Sequence, residues 1–215
     1  LAACCMGTMT SCSDFLDASN KSNVTAKQSF ATKEGLNNLV NNAYQHLQNV
    51  YAAPLFTSCF SAGTDMYADA RNKMNEALNT YETLTPENTD IKNLYTYLYS
   101  GIRAANSVSY YAQTAQVDDK TKGQLVGEAR VLAAYEYYLL VNNFGGVPIM
   151  KDFLTTADTG YPKSSAADVY AYIISELEDV IGKNVLQAST ATKGGGRISQ
   201  ETAKAILAKT YLSAA

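Results

Sequence analysis

Residues able to carry chemistry are sparse in this 215-residue chain. The single histidine, His46, falls inside a helical pattern with no serine or cysteine motif beside it, so no nucleophile and base can be assembled around it. It is expected at the rim of its helix. Asp65 and Asp69 are the nearest approach to the carboxylate pair that cleaves glycosidic bonds, yet acids close together in a loop ordinarily form turns or face water. A glycoside hydrolase therefore stays only as a distant alternative. No histidine and cysteine spacing suits a metal, and the net charge of -3, with no basic stripe interleaved with aromatics, argues against nucleic acid. No catalytic residue, metal or cofactor is expected, and the composition favours a neutral or weakly charged ligand.

Cysteine chemistry is more informative. The opening Leu1 to Cys12 is uncharged and mostly small or apolar, then turns polar at Ser13-Asp14. It is too short to cross a bilayer, which takes about 20 apolar residues, and reads as the remnant of a secretion signal over 1–11. Met9-Thr10-Ser11-Cys12 is similar to a bacterial lipobox, in which small residues admit the peptidase and the thiol takes a lipid. Cys12 is the expected lipidation site. Cleavage there would remove Cys4 and Cys5 and leave Cys59 as the one free thiol, so no disulfide framework is expected. Residues 12–31, rich in Ser, Asn, Lys and Thr, read as a lipid-anchored tether.

Helices must position whatever acts. A first helix is expected from an N-cap at Thr32, with an apolar stripe of Leu36, Leu39, Val40, Ala43, Tyr44, Leu47, Val50 and Tyr51. A second begins after Asp90 and runs into Asn106. The third starts near Asp118 or Asp119 and is apolar almost all round, with Glu136 the one charge between Val131 and Val141, so it must be covered on more than one side. It stops at Gly145-Gly146, where left-handed backbone freedom is available, and Pro148 bars its resumption. A fourth helix follows Ser165, which with Asp168 has capping-box spacing, and a fifth follows Gly194-Gly195-Gly196-Arg197 and pairs with the fourth. Small alanines between large residues suit an all-α, tetratricopeptide-like superhelix with an irregular period, interrupted by long insertions at 52–90 and 144–164. Long insertions in compact domains are more often functional.

The stretch Gly127-Glu128-Ala129-Arg130, the aromatic helix after it, and the exit Phe144-Gly145-Gly146-Val147-Pro148 resemble the SusD/RagB family of outer-membrane nutrient-binding lipoproteins. A second arginine usual in that family shortly after the first is missing, since Leu132 is followed by Ala133 and Ala134. Tyr161-Pro162-Lys163-Ser164-Ser165 is similar to the family's Pro-Arg-Ser-Ser element, with lysine in place of arginine and hence without the bidentate fork. The resemblance implies that residues 32–215 are the N-terminal part of a SusD-like helical domain, truncated relative to members about twice as long. It implies a non-catalytic protein, lipid-anchored on the cell surface at the outer membrane, that binds oligosaccharides or peptides and delivers them to a SusC-like TonB-dependent transporter. A lipid-anchored helical scaffold that binds only proteins is the alternative.

Ligand capture in such a family means rings against the apolar face of a sugar, with amides and charges at the rim. With no tryptophan, the rings must come from the 16 tyrosines and six phenylalanines. Tyr44, Tyr95, Tyr99, Tyr135, Tyr138, Tyr170 and Tyr211 lie on helical stripes and are expected to pack. Loop residues are the better candidates: Thr64-Asp65-Met66-Tyr67 resembles the family segment after the first helix, pointing to Tyr67 with Asp69, Arg71 and Asn72, and secondarily to Tyr81. Glu128 and Arg130, two apart on one helix, do not face each other and are expected to orient neighbouring elements.

Overall fold

The computed structural model describes residues 26–52, 54–67, 76–154, 160–189 and 196–215. The signal remnant, Cys12 and most of the tether lie outside these. Eight helices follow in order: α1 (Ala26–Ser29), α2 (Lys33–Tyr51), α3 (Leu55–Phe60), α4 (Glu76–Thr80), α5 (Thr89–Ala112), α6 (Asp119–Phe144), α7 (Ala166–Lys183) and α8 (Gln200–Ala214). The one β feature among the described residues is an isolated bridge between Pro148 and Lys163. The long helices are α2, α5, α6, α7 and α8, the five expected. The insertion at 52–90 is not all loop: it carries the short α3 and α4.

Local chemistry sets the helix starts. Thr32, Asp118 and Ser199 each accept a backbone N–H of the first turn through the side chain. Ser165 and Asp168 form the full capping box. Asn88 caps α5, so that helix begins just ahead of Asp90, and it runs past Asn106 because Val108 and Ala112 are also buried.

The near-uniform apolarity of α6 is explained by its position: it packs against α2, α5, α7 and α8. Val131, Leu132, Ala134, Tyr137 and Leu140 are all buried around its circumference. At its end the two glycines act differently. Gly145 takes φ of 68°, a conformation costly to any residue with a Cβ. Gly146 is instead needed for space, because a Cβ there would overlap the Ser164 carbonyl oxygen. The exit of α6 thus lies directly on the Pro162 to Ser165 element, with Ser164 N donating to the Val147 carbonyl at 3.2 Å.

Two glutamates on α6 are fully buried and meet opposite circumstances. Glu128 is neutralised: Arg197 Nε lies 2.7 Å from its Oε2, Tyr44 OH donates to it at 3.1 Å and Gln124 donates to Oε1 at 3.1 Å. Arg197 also reaches Asn37 and Asn41 of α2, and Tyr44 OH accepts from Ile198 N at 2.7 Å. Arg130 turns the other way, bonding Glu176 at 2.7 Å and also Asp179, both on α7. The two motif charges therefore bind different neighbours, as their spacing requires.

Among the described residues Glu136 has no hydrogen-bond partner for either carboxyl oxygen. It fills the space left by Gly101 of α5, where a Cβ would overlap the carboxyl group. Burial raises its pKa well above the ordinary glutamate value, so the group favours its protonated form.

Two stability outcomes are expected. Arg197→Met leaves Glu128 buried without its cation and should cost about 3 kcal/mol, read as a lower urea midpoint at unchanged m-value. Glu136 binds its proton more tightly folded than unfolded, so its penalty is absent below the ordinary carboxyl pKa and grows as pH rises toward the folded value. Glu136→Met should accordingly gain about 1 kcal/mol or more at pH 8 and distinctly less at pH 4.5, measured by thermal unfolding at both. A pH-independent difference would contradict the assignment.

Candidate functional site

The insertion after α2 is built by short-range turns. Ser61 accepts the Thr64 hydroxyl at 2.8 Å, and Gly63 adopts φ of 75°. A Cβ on Gly63 would fall 2.5 Å from the Leu78 carbonyl oxygen and overlap the Tyr81 hydroxyl, so only glycine lets α4 close over this turn. Tyr81 itself holds φ of 63°, a strained conformation for an aromatic residue, and its hydroxyl points at the Gly63 carbonyl at 3.5 Å. Strain of this kind persists only where surrounding structure imposes it.

Beneath Tyr81 is a cavity of about 300 Å³, lined among others by Cys59, Leu78, Ile91, Asn143 and Phe144. It joins the insertion to the exit end of α6. Burial, with Asp90 adding, pushes the Cys59 thiol up to about 11, which keeps it protonated and unsuited to nucleophilic work.

Next to Cys59, which lines this cavity, α3 begins a row of rings that runs over the last residue of α2 to the middle of α6. Phe60 stacks on Phe56 with centroids 5.4 Å apart, and Phe56 lies 5.4 Å from Tyr51. The Tyr51 and Tyr135 hydroxyls are hydrogen-bonded to each other. Tyr135 then lies nearly parallel to Tyr138 at 6.1 Å, and Lys209 of α8 sits over Tyr138 at 5.9 Å. Tyr51 is 42% and Phe56 37% exposed, which leaves ring surface open to solvent. Burial of the remainder, with the bond to Tyr135, pushes the Tyr51 phenol's pKa up, so it stays a neutral donor and acceptor. Such rings, flanked by hydroxyls and a lysine, can hold the C–H face of a sugar while polar neighbours meet its hydroxyls.

Of the residues singled out from sequence, Tyr81 lines the cavity and Tyr67 is exposed at the end of the turn, outside the cavity lining. Asp69, Arg71 and Asn72 lie outside the described residues. Tyr135 and Tyr138, expected to pack, do lie half-buried against the core, as Tyr44 does with its bond to Glu128, and they are also members of the row. The row was invisible in sequence because Tyr51 and Tyr135 stand 84 residues apart. His46 is half-buried on α2, and no cluster among the described residues has the composition to hold a metal.

Comparison with known proteins agrees with this architecture. The SusD-like family described as starch-binding and associating with the outer membrane matches residues 14–212. A SusD-like protein of Formosa agariphila is 28% identical over 179 residues, covering 81% of this chain and 34% of that protein. Among solved structures, surface glycan-binding protein A from Bacteroides uniformis superposes with a TM-score of 0.71 at 25% identity, covering 83% of this chain and 41% of that one. A laminarin-binding SusD-like protein has the same fold, with a TM-score of 0.72 at 23% identity, over 83% and 40% of the two chains. The chain thus spans about a third of the length of that curated relative. By the family match over nearly its whole length, this chain belongs to the SusD-like family of starch-binding, outer-membrane-associated proteins.

Proposed function

We propose that this chain binds oligosaccharides at the cell surface without cleaving them, and passes them to a SusC-like TonB-dependent transporter. The observation that carries the reading is the solvent-open row Phe60, Phe56, Tyr51, Tyr135 and Tyr138 beside the Tyr81 cavity. Rings presented along a rigid helical edge suit successive sugar units, because the surface is formed before the ligand arrives and little ordering is lost on binding. Tyr67, Asp69, Arg71 and Asn72 supply rim contacts in this scheme. Its support is the family's description as starch-binding and the fold shared with a surface glycan-binding protein of Bacteroides uniformis.

A lipid on Cys12 and the tether after it would hold the helical stack at the outer membrane. No helix among the described residues is long and apolar enough to cross a membrane. A thioether-linked lipid offers the chain a hold on the bilayer that these helices do not.

Two experiments test these claims. With a panel of neutral oligosaccharides read by calorimetry, Tyr51→Ala combined with Phe56→Ala should weaken binding about tenfold or more, equivalent to about 1.4 kcal/mol. Both side chains are partly exposed, so folding should survive. Unchanged affinity would remove the row from the site. In cells, the wild-type chain should fractionate with outer membranes and co-purify a TonB-dependent transporter, and Cys12→Ala should release it from the membrane fraction. Retention of that variant in the membrane would refute the anchor.

A further inference from the structure

A second cavity, of about 390 Å³, lies between α2 and α5 and shares no lining residue with the Tyr81 cavity or the aromatic row. Its size falls within the usual range for small-ligand sites. On α5, Ser100, Arg103, Ser107 and Tyr111 recur at helical spacing and so share a face; α2 contributes Asn42 and His46. Ala104 and Ser107 are small and buried, which opens the space between the helices.

Arg103 is the one formally charged side chain in this lining, and it makes no ion pair among the described residues. It is exposed, with its guanidinium 5.6 Å from the centre of the Phe153 ring. Phe153 is held in turn, lying 5.4 Å from Tyr110 and 5.8 Å from Tyr111. The segment leading to it is pinned at Met150, whose N–H donates to Tyr137 OH at 2.7 Å and whose carbonyl accepts from Asn106 at 2.9 Å. Stacking on an anchored ring pre-orients the planar fork, which reduces the cost of binding an oxyanion.

The remaining groups are neutral. Burial holds the His46 pKa below the usual imidazole value, and its buried Nδ1 has no hydrogen-bond partner among the described residues. Phe30 completes the aromatic wall, 4.8 Å from Tyr111. One guanidinium without an ion pair among the described residues, apolar rings, an amide and hydroxyls together match a molecule with one negative charge, an apolar C–H face and several hydroxyls.

We infer that this cavity binds an anionic sugar unit, a pyranose bearing a carboxylate or a sulfate ester, with Arg103 taking the oxyanion against the Phe153 and Tyr111 rings. This rests on the carbohydrate-binding reading above and assigns a second, charge-selective position to it. A carboxylate would meet the guanidinium through two parallel bonds, and a sulfate through two of its oxygens.

The test is calorimetry on the intact purified chain with tetragalacturonate, sulfated neocarratetraose and neutral maltotetraose. The wild type should bind one or both anionic probes at least tenfold more tightly than maltotetraose, and which of them it prefers identifies the oxyanion. Arg103→Gln should abolish that preference and leave neutral binding unchanged. Asn42→Asp, which places a carboxylate in the same cavity, should also weaken anionic binding. The inference is overturned if the anionic probes bind no better than maltotetraose, or if both variants keep wild-type affinity for them. Neutral binding that depends on Tyr51 and Phe56, without any anionic preference, defeats this inference alone; no binding of any glycan defeats the broader reading with it.

Discussion

The buried carboxylate of Glu128 is the constraint around which the stack is arranged. A charge with no exposed surface must be matched where it lies, and three separate stretches of chain supply the match: Tyr44 from α2, Gln124 from α6 itself, and Arg197 from the segment entering α8. Arg197 is more than 60 residues away in sequence, so the pair forms only when the last helix has docked. Because Arg197 and Ile198 also bond to α2, the first and last long helices are keyed to the central one at a single point. Arg130 keys α7 to α6 on another side.

The long helices were legible in the sequence because their signals are local. Thr32, Asp118, Ser165 with Asp168, and Ser199 bond backbone within three residues, and the stripe on α2 repeats at helical spacing over five turns. The short helices α3 and α4, of six and five residues, are too brief to show a period and stayed hidden. The two glycines after α6 looked alike in sequence, and only the packing of Ser164 separates a backbone requirement from a steric one. Tyr81 could be flagged because it stands in an insertion. Tyr51, Tyr135 and Tyr138 could not, since a tyrosine on a helical stripe reads the same whether its ring is covered or half open.

The division of labour between rigid and variable parts follows from this. The stack is held by buried pairs and close-packed apolar surface, while the partly exposed rings of the row sit where α2 gives way to the insertion and along the middle of α6. The exit segment after α6 belongs to both: Tyr99 and Tyr137 hold it at Pro148 and Met150, and Phe153 then lies over the α2 and α5 groove. Family signature and the surface proposed to face ligand are thus adjoining parts of one path of chain.

Glu136 gives the same helix a different property. A carboxyl group that is hydrated and ionised in the unfolded chain, yet buried beside Gly101 without a partner in the folded one, must recover its proton as the helices close. Folding then captures a proton from solution across the interval between the ordinary and raised pKa values, and unfolding returns it. The heat of unfolding of this chain within that interval therefore contains the ionisation enthalpy of whatever buffer surrounds it, so calorimetric enthalpies taken in different buffers at one pH describe different sums rather than one molecular quantity.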